Sequence, residues 1–182
     1  MSKKLIVLSG PSGAGIGEIA ETLFAEREDL VPVVPVTARK MKAGERDGVG
    51  FFFFELEDWN AMKESGDLIE TTEFAGNDYG TSRRLVEERL REGFHVLIDR
   101  ELERAAQIKK NMPAAVCVFV EPSPAVLEER LRAISRSERE LALRLQTAAR
   151  LRTEADFCDL RLNSDDVTSA VAAIEHLLDF KE

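Results

Sequence analysis

The chain has 182 residues, of which 44% are hydrophobic, and it carries a formal net charge of −9. This length favours one domain with room for a full hydrophobic core. The acidic balance disfavours nucleic acid and anionic membranes as partners. No apolar run is long enough to span a membrane, and the segment before Gly10 is too short for a signal peptide. We therefore expect a cytoplasmic protein without a membrane or nucleic-acid partner.

The two cysteines and two histidines show no spacing typical of a metal site. Cys117 and Cys158 lie in apolar segments, so we expect buried free thiols in a reducing compartment. His95 and His176 belong to no catalytic motif, and we expect both to be structural or at the surface.

Strand and helix patterns alternate along the chain, as in α/β proteins with a parallel sheet. Apolar runs predict buried strands and amphipathic runs predict helices. The predicted strand Val31–Val36 contains two prolines, so we expect it to be an edge strand or an irregular one. The other predicted elements are, in chain order, strand Lys4–Ser9, helix Glu18–Arg27, helix Arg83–Glu92, strand Phe94–Asp99, helix Glu101–Lys109, strand Ala114–Val120, helices Ala125–Arg132 and Glu140–Ala155, strand Asp159–Leu162 and helix Asp166–Phe180.

Residues 37–82 interrupt this alternation and predict a small inserted lobe with antiparallel strands. The segment contains the aromatic run Phe51–Phe54, a short helix near Asp58–Glu64 and the strand Leu68–Phe74. The predicted single domain therefore has a core of about 1–36 and 83–182, an inserted lobe of about 37–82, and an arginine-rich lid of about 133–150.

The first strand leads into the sequence GPSGAGIGE, from Gly10 to Glu18. It resembles the phosphate-binding pattern G-x-x-x-x-G-K-[ST], but Ile16 and Gly17 replace the lysine and the hydroxyl residue. A glycine-rich turn at a helix N-terminus directs backbone N–H groups at an anion. A glycine-rich turn also occurs as a tight strand–helix connection that binds no ligand, so by itself it does not establish a phosphate site. The candidate phosphate-binding residues are Gly10, Ser12, Gly13, Ala14, Gly15, Ile16 and Gly17.

Four further blocks are similar to the signatures of one enzyme family. Residues 37–48 resemble T-T-R-x-P-R-x-G-E-x-x-G, and residues 68–81 resemble F-I-E-W…G-x-x-Y-G-T. Residues 93–99 match a strand that ends in an aspartate, and residues 163–166 match an N-D-D segment. These blocks, in this order over nearly the whole chain, resemble the guanylate kinase family. The resemblance implies a P-loop NTPase-type three-layer α/β fold with a parallel sheet and the ATP-dependent phosphorylation of GMP to GDP.

The resemblance also implies roles in GMP binding. Arg39 would hold the GMP phosphate with its planar guanidinium, and Glu70 and Thr81 would read the guanine base. The implied GMP-binding residues are Arg39, Lys42, Phe51, Glu70, Tyr79, Thr81 and Glu101. Lys42 and Phe51 stand in place of the family's arginine and tyrosine, and Glu103-Arg104 stands in place of its Q-G.

The lid and one strand end supply the implied catalytic residues: Arg144, Arg136 and Asp99. Residues 127–152 contain seven arginines against four glutamates, and arginines of family lids clamp the transferring phosphoryl group. A charged helix face with pairs such as Glu140–Arg144 is the alternative. The implied cofactor is Mg²⁺ with ATP. No residue is a certain metal ligand, and Asp99, acting through water, is the candidate.

Loss of the loop lysine and hydroxyl predicts impaired phosphotransfer, by roughly 10²–10³ in rate for one well-placed electrostatic group. The first hypothesis is therefore a slow guanylate kinase with GMP and ATP as its small-molecule ligands. The alternatives are a pseudokinase that binds a guanine nucleotide and a protein-interaction module. The sequence leaves open the true monophosphate, regulatory partners and the oligomeric state, a homo-oligomer included.

Overall fold

The computed structural model describes residues 3–179, which form two sheets and the helices around them. In chain order the elements are β1 (Leu5–Ser9), α1 (Ile16–Glu26), β2 (Leu30–Pro32), β3 (Val36–Thr37), β4 (Phe52–Phe53), α2 (Leu56–Glu64), β5 (Leu68–Phe74), β6 (Asn77–Ser82), α3 (Arg83–Arg91), β7 (His95–Asp99), α4 (Leu102–Asn111), β8 (Val116–Glu121), α5 (Pro124–Ile134), α6 (Glu138–Glu154), a 3₁₀ turn (Ala155–Phe157), β9 (Leu160–Asn163) and α7 (Val167–Asp179).

The larger sheet is parallel and has the order β2-β7-β1-β8-β9. Its central strand β1 is buried along its whole length. Because successive side chains point to opposite faces of a strand, Ile6 and Leu8 pack with residues of α1 and α7. Leu5 and Val7 pack on the other face with residues of α3 and α4. This three-layer α/β arrangement confirms the predicted fold class.

The smaller sheet, of order β4-β3-β6-β5, is formed by residues 36–82. Two of its pairings, β3–β6 and β5–β6, are antiparallel as predicted, but β3 and β4 are parallel. The predicted strand Val31–Val36 was wrong as one unit, because its residues divide between β2 of one sheet and β3 of the other. Proline cannot donate a ladder hydrogen bond, and Pro35 instead accepts one from Phe52 through its carbonyl, at 2.9 Å.

Several element boundaries differ from the sequence-based expectation. Helix α1 begins at Ile16 rather than Glu18, since Gly15 precedes it with a φ of 83° that glycine adopts readily. Strand β6 was not predicted as a separate element. Ser137 accepts a hydrogen bond from the Glu140 N–H at 3.2 Å, and this cap starts α6 earlier than predicted. The predicted end of the last helix, Phe180, lies outside the described residues.

Two further expectations concern the membrane and the cysteines. Among residues 3–179, no helix has the length and apolar character needed to cross a membrane. Both cysteines are free thiols, as expected. Cys117 is buried, but Cys158 is only half-buried, and their Sγ atoms lie 2.9 Å apart.

Candidate functional site

The glycine-rich loop joins β1 to α1 at the carboxyl edge of the parallel sheet. Gly13 and Gly15 have positive φ angles of 84° and 83°. A Cβ on Gly10 would lie 2.2 Å from the Val120 carbonyl oxygen, so that position has no room for a side chain. The Ala14 N–H donates to the Pro11 carbonyl at 3.0 Å, so the prediction that it points at a ligand was wrong. The N–H groups of the first turn of α1 remain available to an anion.

Ile16 and Gly17 occupy the first turn of α1. The Ile16 side chain packs against the apolar cluster between the sheet and α7, and its Cδ1 lies 3.2 Å from the place of a Cβ on Gly10. Gly17 is exposed, and a Cβ built on it would have no neighbour within 4 Å. The loop therefore keeps the glycine-rich turn before the helix N-terminus but has neither a cationic nor a hydroxyl side chain at these positions.

Arg130 and Ser164 tie the loop to the segment that follows β9. Arg130 donates from Nη1 to the Gly13 carbonyl at 3.3 Å, and from Nη2 to the carbonyls of Ser164 and Asp165 at 2.9 and 3.1 Å. The buried Ser164 hydroxyl donates to the Ala14 carbonyl at 2.7 Å. The segment Asn163–Asp166, which matched the family's N-D-D block, therefore lies against the glycine-rich loop.

The structure brings one of the two predicted lid arginines to the loop. Arg144 donates from Nη1 to the Ser12 Oγ at 2.9 Å, while its Nε and Nη2 donate to Glu140 Oε1 at 3.1 and 2.8 Å. Arg136 is exposed, and within the described chain its backbone N–H, rather than its guanidinium, contacts Glu140. Of the two arginines, therefore, only Arg144 contacts the glycine-rich loop through its guanidinium, and the phosphate-clamping role expected of both stays a prediction.

Arg39, Phe51 and Tyr79 come together in the smaller lobe. The Arg39 guanidinium binds both oxygens of Glu45 at 2.8 Å and lies 5.5 and 5.1 Å from the ring centres of Phe51 and Phe53. The ring centres of Phe51 and Tyr79 are 5.6 Å apart. The hydrogen bond from Arg39 lowers the pKa of Glu45 to about 2.

Lys42, by contrast, has an exposed side chain, and its backbone N–H donates to Glu45 Oε2 at 2.6 Å. The structure thus brings the predicted arginine, phenylalanine and tyrosine into one cluster and leaves the lysine side chain in solvent.

Glu70 and Thr81 are neighbours, but the structure buries both of them. The Thr81 hydroxyl donates to Glu70 Oε1 at 2.7 Å. Arg104 binds Glu70 with both Nε (2.7 Å to Oε2) and Nη2 (2.9 Å to Oε1), and Arg100 Nε donates to Oε1 at 3.1 Å. Burial alone would raise the pKa of Glu70, but the hydrogen bonds from Arg104 and Thr81 and the charges of both arginines hold it below its ordinary value. The carboxylate expected to read the base is therefore already paired with Thr81 and the two arginines, and its role in base recognition stays a prediction.

A cavity of about 630 Å³ lies between the smaller lobe and α4. Its wall includes Phe51, Tyr79, Glu101, Arg100 and Arg104, but neither Glu70 nor Thr81. A second cavity of about 650 Å³ lies between Gly10 and Ser12 of the loop, α4 and α6. Glu101 and Glu103 line both cavities. The two cavities therefore adjoin at the carboxyl edge of the sheet, where open α/β folds place their ligands.

Asp99 lies two residues before Glu101, which lines both cavities. Asp99 ends β7 and pairs in register with Leu8 of β1. Desolvation by the surrounding protein raises the pKa of Asp99, while the positive charge of Arg100 opposes that shift and the negative charge of Glu101 adds to it.

The residues around Asp99 do not form a protein-built metal site. No group of three or more His, Cys, Asp or Glu side chains suited to a metal ion occurs within residues 3–179. Gly17 supplies no hydroxyl either, so Asp99 is the one implied ligand that remains. Such a donor set does not hold Mg²⁺ by itself. It fits only an ion that is coordinated mainly by nucleotide phosphates and water.

Sequence reasoning missed the roles of Arg100 and Arg104. Arg104 was noted only as a replacement for a family glycine, and Arg100 was not considered. The available signal was two arginines four residues apart, one at a strand end and one in the first turn of the next helix, in a chain where Glu70 was expected to read the base. Their meeting with Glu70 joins positions 30 and 34 residues apart, which no local pattern reveals.

Comparison with known proteins places these features in context. The family model described as "Guanylate kinase" matches residues 2–181. The chain is 39% identical over 173 residues to a protein named guanylate kinase from Synechococcus sp. (strain CC9311), covering 93% of this chain and 90% of that protein. It is 38% identical to the guanylate kinase of Synechocystis sp. (strain ATCC 27184 / PCC 6803 / Kazusa), with 98% and 95% covered.

A solved structure is also similar. The crystal structure of guanylate kinase from Anaplasma phagocytophilum matches 97% of this chain and 85% of that chain, with a TM-score of 0.64 and 26% identity.

Proposed function

The chain belongs to the guanylate kinase family, and we propose that it transfers a phosphoryl group from ATP to a nucleoside monophosphate, GMP + ATP to GDP + ADP, at a reduced rate. In this proposal the glycine-rich loop binds the ATP phosphates, residues 37–82 form the monophosphate lobe, and residues 133–150 act as a lid. The predicted cytoplasmic location stays a prediction.

The meeting of two cavities supports this proposal. One cavity is bordered by the loop that resembles a phosphate cradle. The other is bordered by Phe51 and Tyr79, the two rings that cluster with Arg39, and Glu101 and Glu103 line both. A phosphotransferase needs its donor and acceptor sites to adjoin, because the phosphoryl group passes in line between two oxygens with little covalent chemistry from the protein.

The proposed roles follow from charge and position. Arg39 is held by Glu45 and by two aromatic rings, and its remaining N–H groups would bind the phosphate of the acceptor. Arg144, already in contact with Ser12, would stabilise the charge that develops on the transferring group. Asp99 would orient water around a divalent ion. Mg²⁺, when bound to ATP, would neutralise phosphate charge in this family of reactions.

The reduced rate is proposed from the first turn of α1. A lysine at position 16 would neutralise the β- and γ-phosphate oxygens, and a hydroxyl at 17 would hold the metal ion. Ile16 instead turns into the apolar core, and Gly17 offers no side chain. In the proposed lid, Arg144 contacts the loop through Ser12. Its charge would replace only part of the missing lysine's effect on the phosphates, because Arg144 also pairs with Glu140.

The packing of Ile16 also favours the second candidate function, a pseudokinase. With Ile16 packed against the apolar cluster, the loop could bind a nucleotide without catalysing phosphotransfer. Lobe closure around the ligand would then be the output.

Calorimetric titration with GMP, and separately with ATP–Mg²⁺, followed by an assay for GDP, separates these functions. The proposed enzyme binds both nucleotides and forms GDP, whereas a pseudokinase binds nucleotide and forms none. Absence of binding by either nucleotide would leave the family likeness as one of fold and would redirect the search to protein partners. The Arg84→Ala variant is a matched control, because that exposed side chain on α3 pairs with Glu88 away from both cavities.

A further inference from the structure

The cavity beside the smaller lobe presents arginine donors where the family resemblance implies an open carboxylate. The side chain of Glu70 is fully buried, while those of Arg100 and Arg104 are 15% and 18% exposed. Both arginines line the cavity, and Glu70 does not. A ligand in this cavity therefore meets guanidinium groups before it meets the acid.

The acceptor capacity of Glu70 is already used. Oε1 accepts hydrogen bonds from Thr81, Arg100 and Arg104, and Oε2 accepts one from the Arg104 Nε. An ionised carboxylate offers about four lone-pair positions in all. To reach the Glu70 carboxylate, the N1–H and 2-amino groups of guanine would have to displace the bidentate Arg104. Bidentate arginine–carboxylate pairs are among the strongest side-chain hydrogen bonds.

The arginines still have donors to offer. A guanidinium has about five N–H groups, and Arg104 uses two of its hydrogen-bonding nitrogens, Nε and Nη2, on Glu70. Its Nη1 is only in ion-pair range of Glu101, at 3.6 Å. Arg100 donates to Glu70, to the Asp99 carbonyl and to the Thr81 hydroxyl. Arg104 therefore keeps N–H donors that can bind an acceptor in the cavity.

The position of Arg104 is fixed by neighbouring contacts on the same face of α4. Gln107 accepts a hydrogen bond from the Thr71 N–H at 3.1 Å, and Asn111 donates to the Ile69 carbonyl at 2.9 Å. Residues 104, 107 and 111 recur at helical spacing and so lie on one face. This face binds α4 along β5 on both sides of Glu70, which keeps the arginine over the carboxylate.

We infer that Arg100 and Arg104 determine the base specificity of this pocket, which accepts nucleoside monophosphates through the acceptor atoms of the base and does not read the guanine 2-amino group. The inference rests on the proposed function, because it assigns the pocket to the acceptor nucleotide. Guanine and hypoxanthine both carry O6 and N7 acceptors, a pair that a guanidinium binds in bidentate fashion. Adenine presents an amino donor in place of O6, which would oppose the arginine N–H groups.

Calorimetric titration of the full chain with GMP, IMP and AMP tests this inference directly. The wild-type protein is expected to bind GMP and IMP within about threefold of each other and AMP about tenfold more weakly, since only the adenine leaves a donor facing donors. A preference for GMP over IMP of about tenfold or more would mean that Glu70 reads the 2-amino group, and it would overturn the inference.

Substitution of the two arginines tests whether they set the ratio of GMP to IMP affinity. In Arg100→Ala/Arg104→Ala, Glu70 is freed, and GMP is expected to bind about tenfold or more tightly than IMP. Arg104→Lys keeps the charge but loses the fork and should shift the ratio in the same direction by a smaller factor, whereas Arg84→Ala should not change it. Equal binding of GMP and IMP by a folded double variant would overturn the role of the arginines.

The design also separates this inference from the proposed function. A tenfold preference for GMP in the wild type overturns only the inference. Absence of binding by all the monophosphates overturns the proposed function and the inference together. If the double variant does not fold, the wild-type ratio and the Arg104→Lys ratio still decide the question.

Discussion

Arg144 donates a hydrogen bond from its Nη1 to the Ser12 hydroxyl at 2.9 Å, across a sequence separation of 132 residues. This contact brings the positive charge of helix α6 to the glycine-rich loop, where the usual lysine is absent. The other guanidinium nitrogens bind Glu140 of the same helix, so the arginine is held in place before any nucleotide binds. Preorganised charge of this kind is the main resource of phosphoryl-transfer sites.

Replacement of this arginine therefore tests its proposed role. We expect Arg144→Ala to lower the rate of GDP formation by roughly 10²–10³, as for loss of one well-placed electrostatic donor. The binding of GMP should stay within about twofold, since Arg144 contacts Ser12, which lines the second cavity and not the one beside the smaller lobe. Steady-state kinetics measure both effects. A rise confined to KM, with kcat intact, would show that Arg144 serves ground-state binding alone.

Phe51 offers a gain of function in the monophosphate lobe. Its ring lies 5.6 Å from Tyr79 and 5.5 Å from Arg39, and the family carries a tyrosine there. We expect Phe51→Tyr to raise the affinity for GMP by roughly three- to tenfold, because one added net hydrogen bond contributes about 0.5–1.5 kcal/mol.

Phe53→Tyr is the matched control for this change. Phe53 also contacts Arg39, at 5.1 Å, but it is absent from the lining of the cavity. Calorimetry should find its GMP affinity unchanged, and an equal gain in both variants would show that the added hydroxyl acts through Arg39 rather than on the phosphate.

His95 gives a prediction for stability against pH. The ring is buried, and its Nδ1 accepts a hydrogen bond from the Lys4 N–H at 3.0 Å. Burial, together with the positive charges of Lys3, Arg27 and Lys4, lowers its pKa to about 4 although Asp29 opposes the shift. A group with a depressed folded pKa stays neutral in the folded state, so the stability it contributes is present above pH about 6.5 and is lost as the pH falls towards 4.

The melting temperature of the wild type should therefore fall between pH 7 and pH 5. His95→Asn keeps an acceptor for the Lys4 N–H but does not titrate, so its melting temperature should fall less over the same interval. Thermal denaturation followed by circular dichroism measures both slopes. Equal slopes would mean that groups other than His95 set the pH dependence in this interval.

Much of the fold could be predicted from the sequence, because it depends on local pattern. The buried run before the glycine-rich loop became the central strand β1, and the strand Leu68–Phe74 has the predicted bounds. The failures lie where pairing partners are distant or where a proline divides a run, as between β2 and β3. The parallel pairing of β3 with β4 could not be read from alternation, which is the same in parallel and antiparallel strands.

The candidate site divides in the same way. Motif positions placed Arg39, Phe51 and Tyr79 in one cluster and Glu70 beside Thr81. They gave no indication that Arg100 and Arg104 cover Glu70, because this depends on how α4 lies along β5. Nor did composition distinguish Arg144, which reaches Ser12, from Arg136, which stays exposed. A count of arginines in the lid gives its charge but not the direction of any one side chain.

The central claim is that the chain is a phosphotransferase weakened at Ile16 and Gly17, and the Ile16→Lys/Gly17→Ser variant tests it most directly. A serine at 17 meets no atom within 4 Å of its Cβ, so that part of the change fits the existing helix, whereas a lysine at 16 gives up the packing of Ile16 against the apolar cluster. The rate of GDP formation from GMP and ATP–Mg²⁺ is the measurement, with wild type and variant compared under the same conditions. The account predicts a slow but measurable wild-type rate and an increase in the variant of roughly 10²–10³. A folded variant that binds both nucleotides but turns over no faster than the wild type would contradict it.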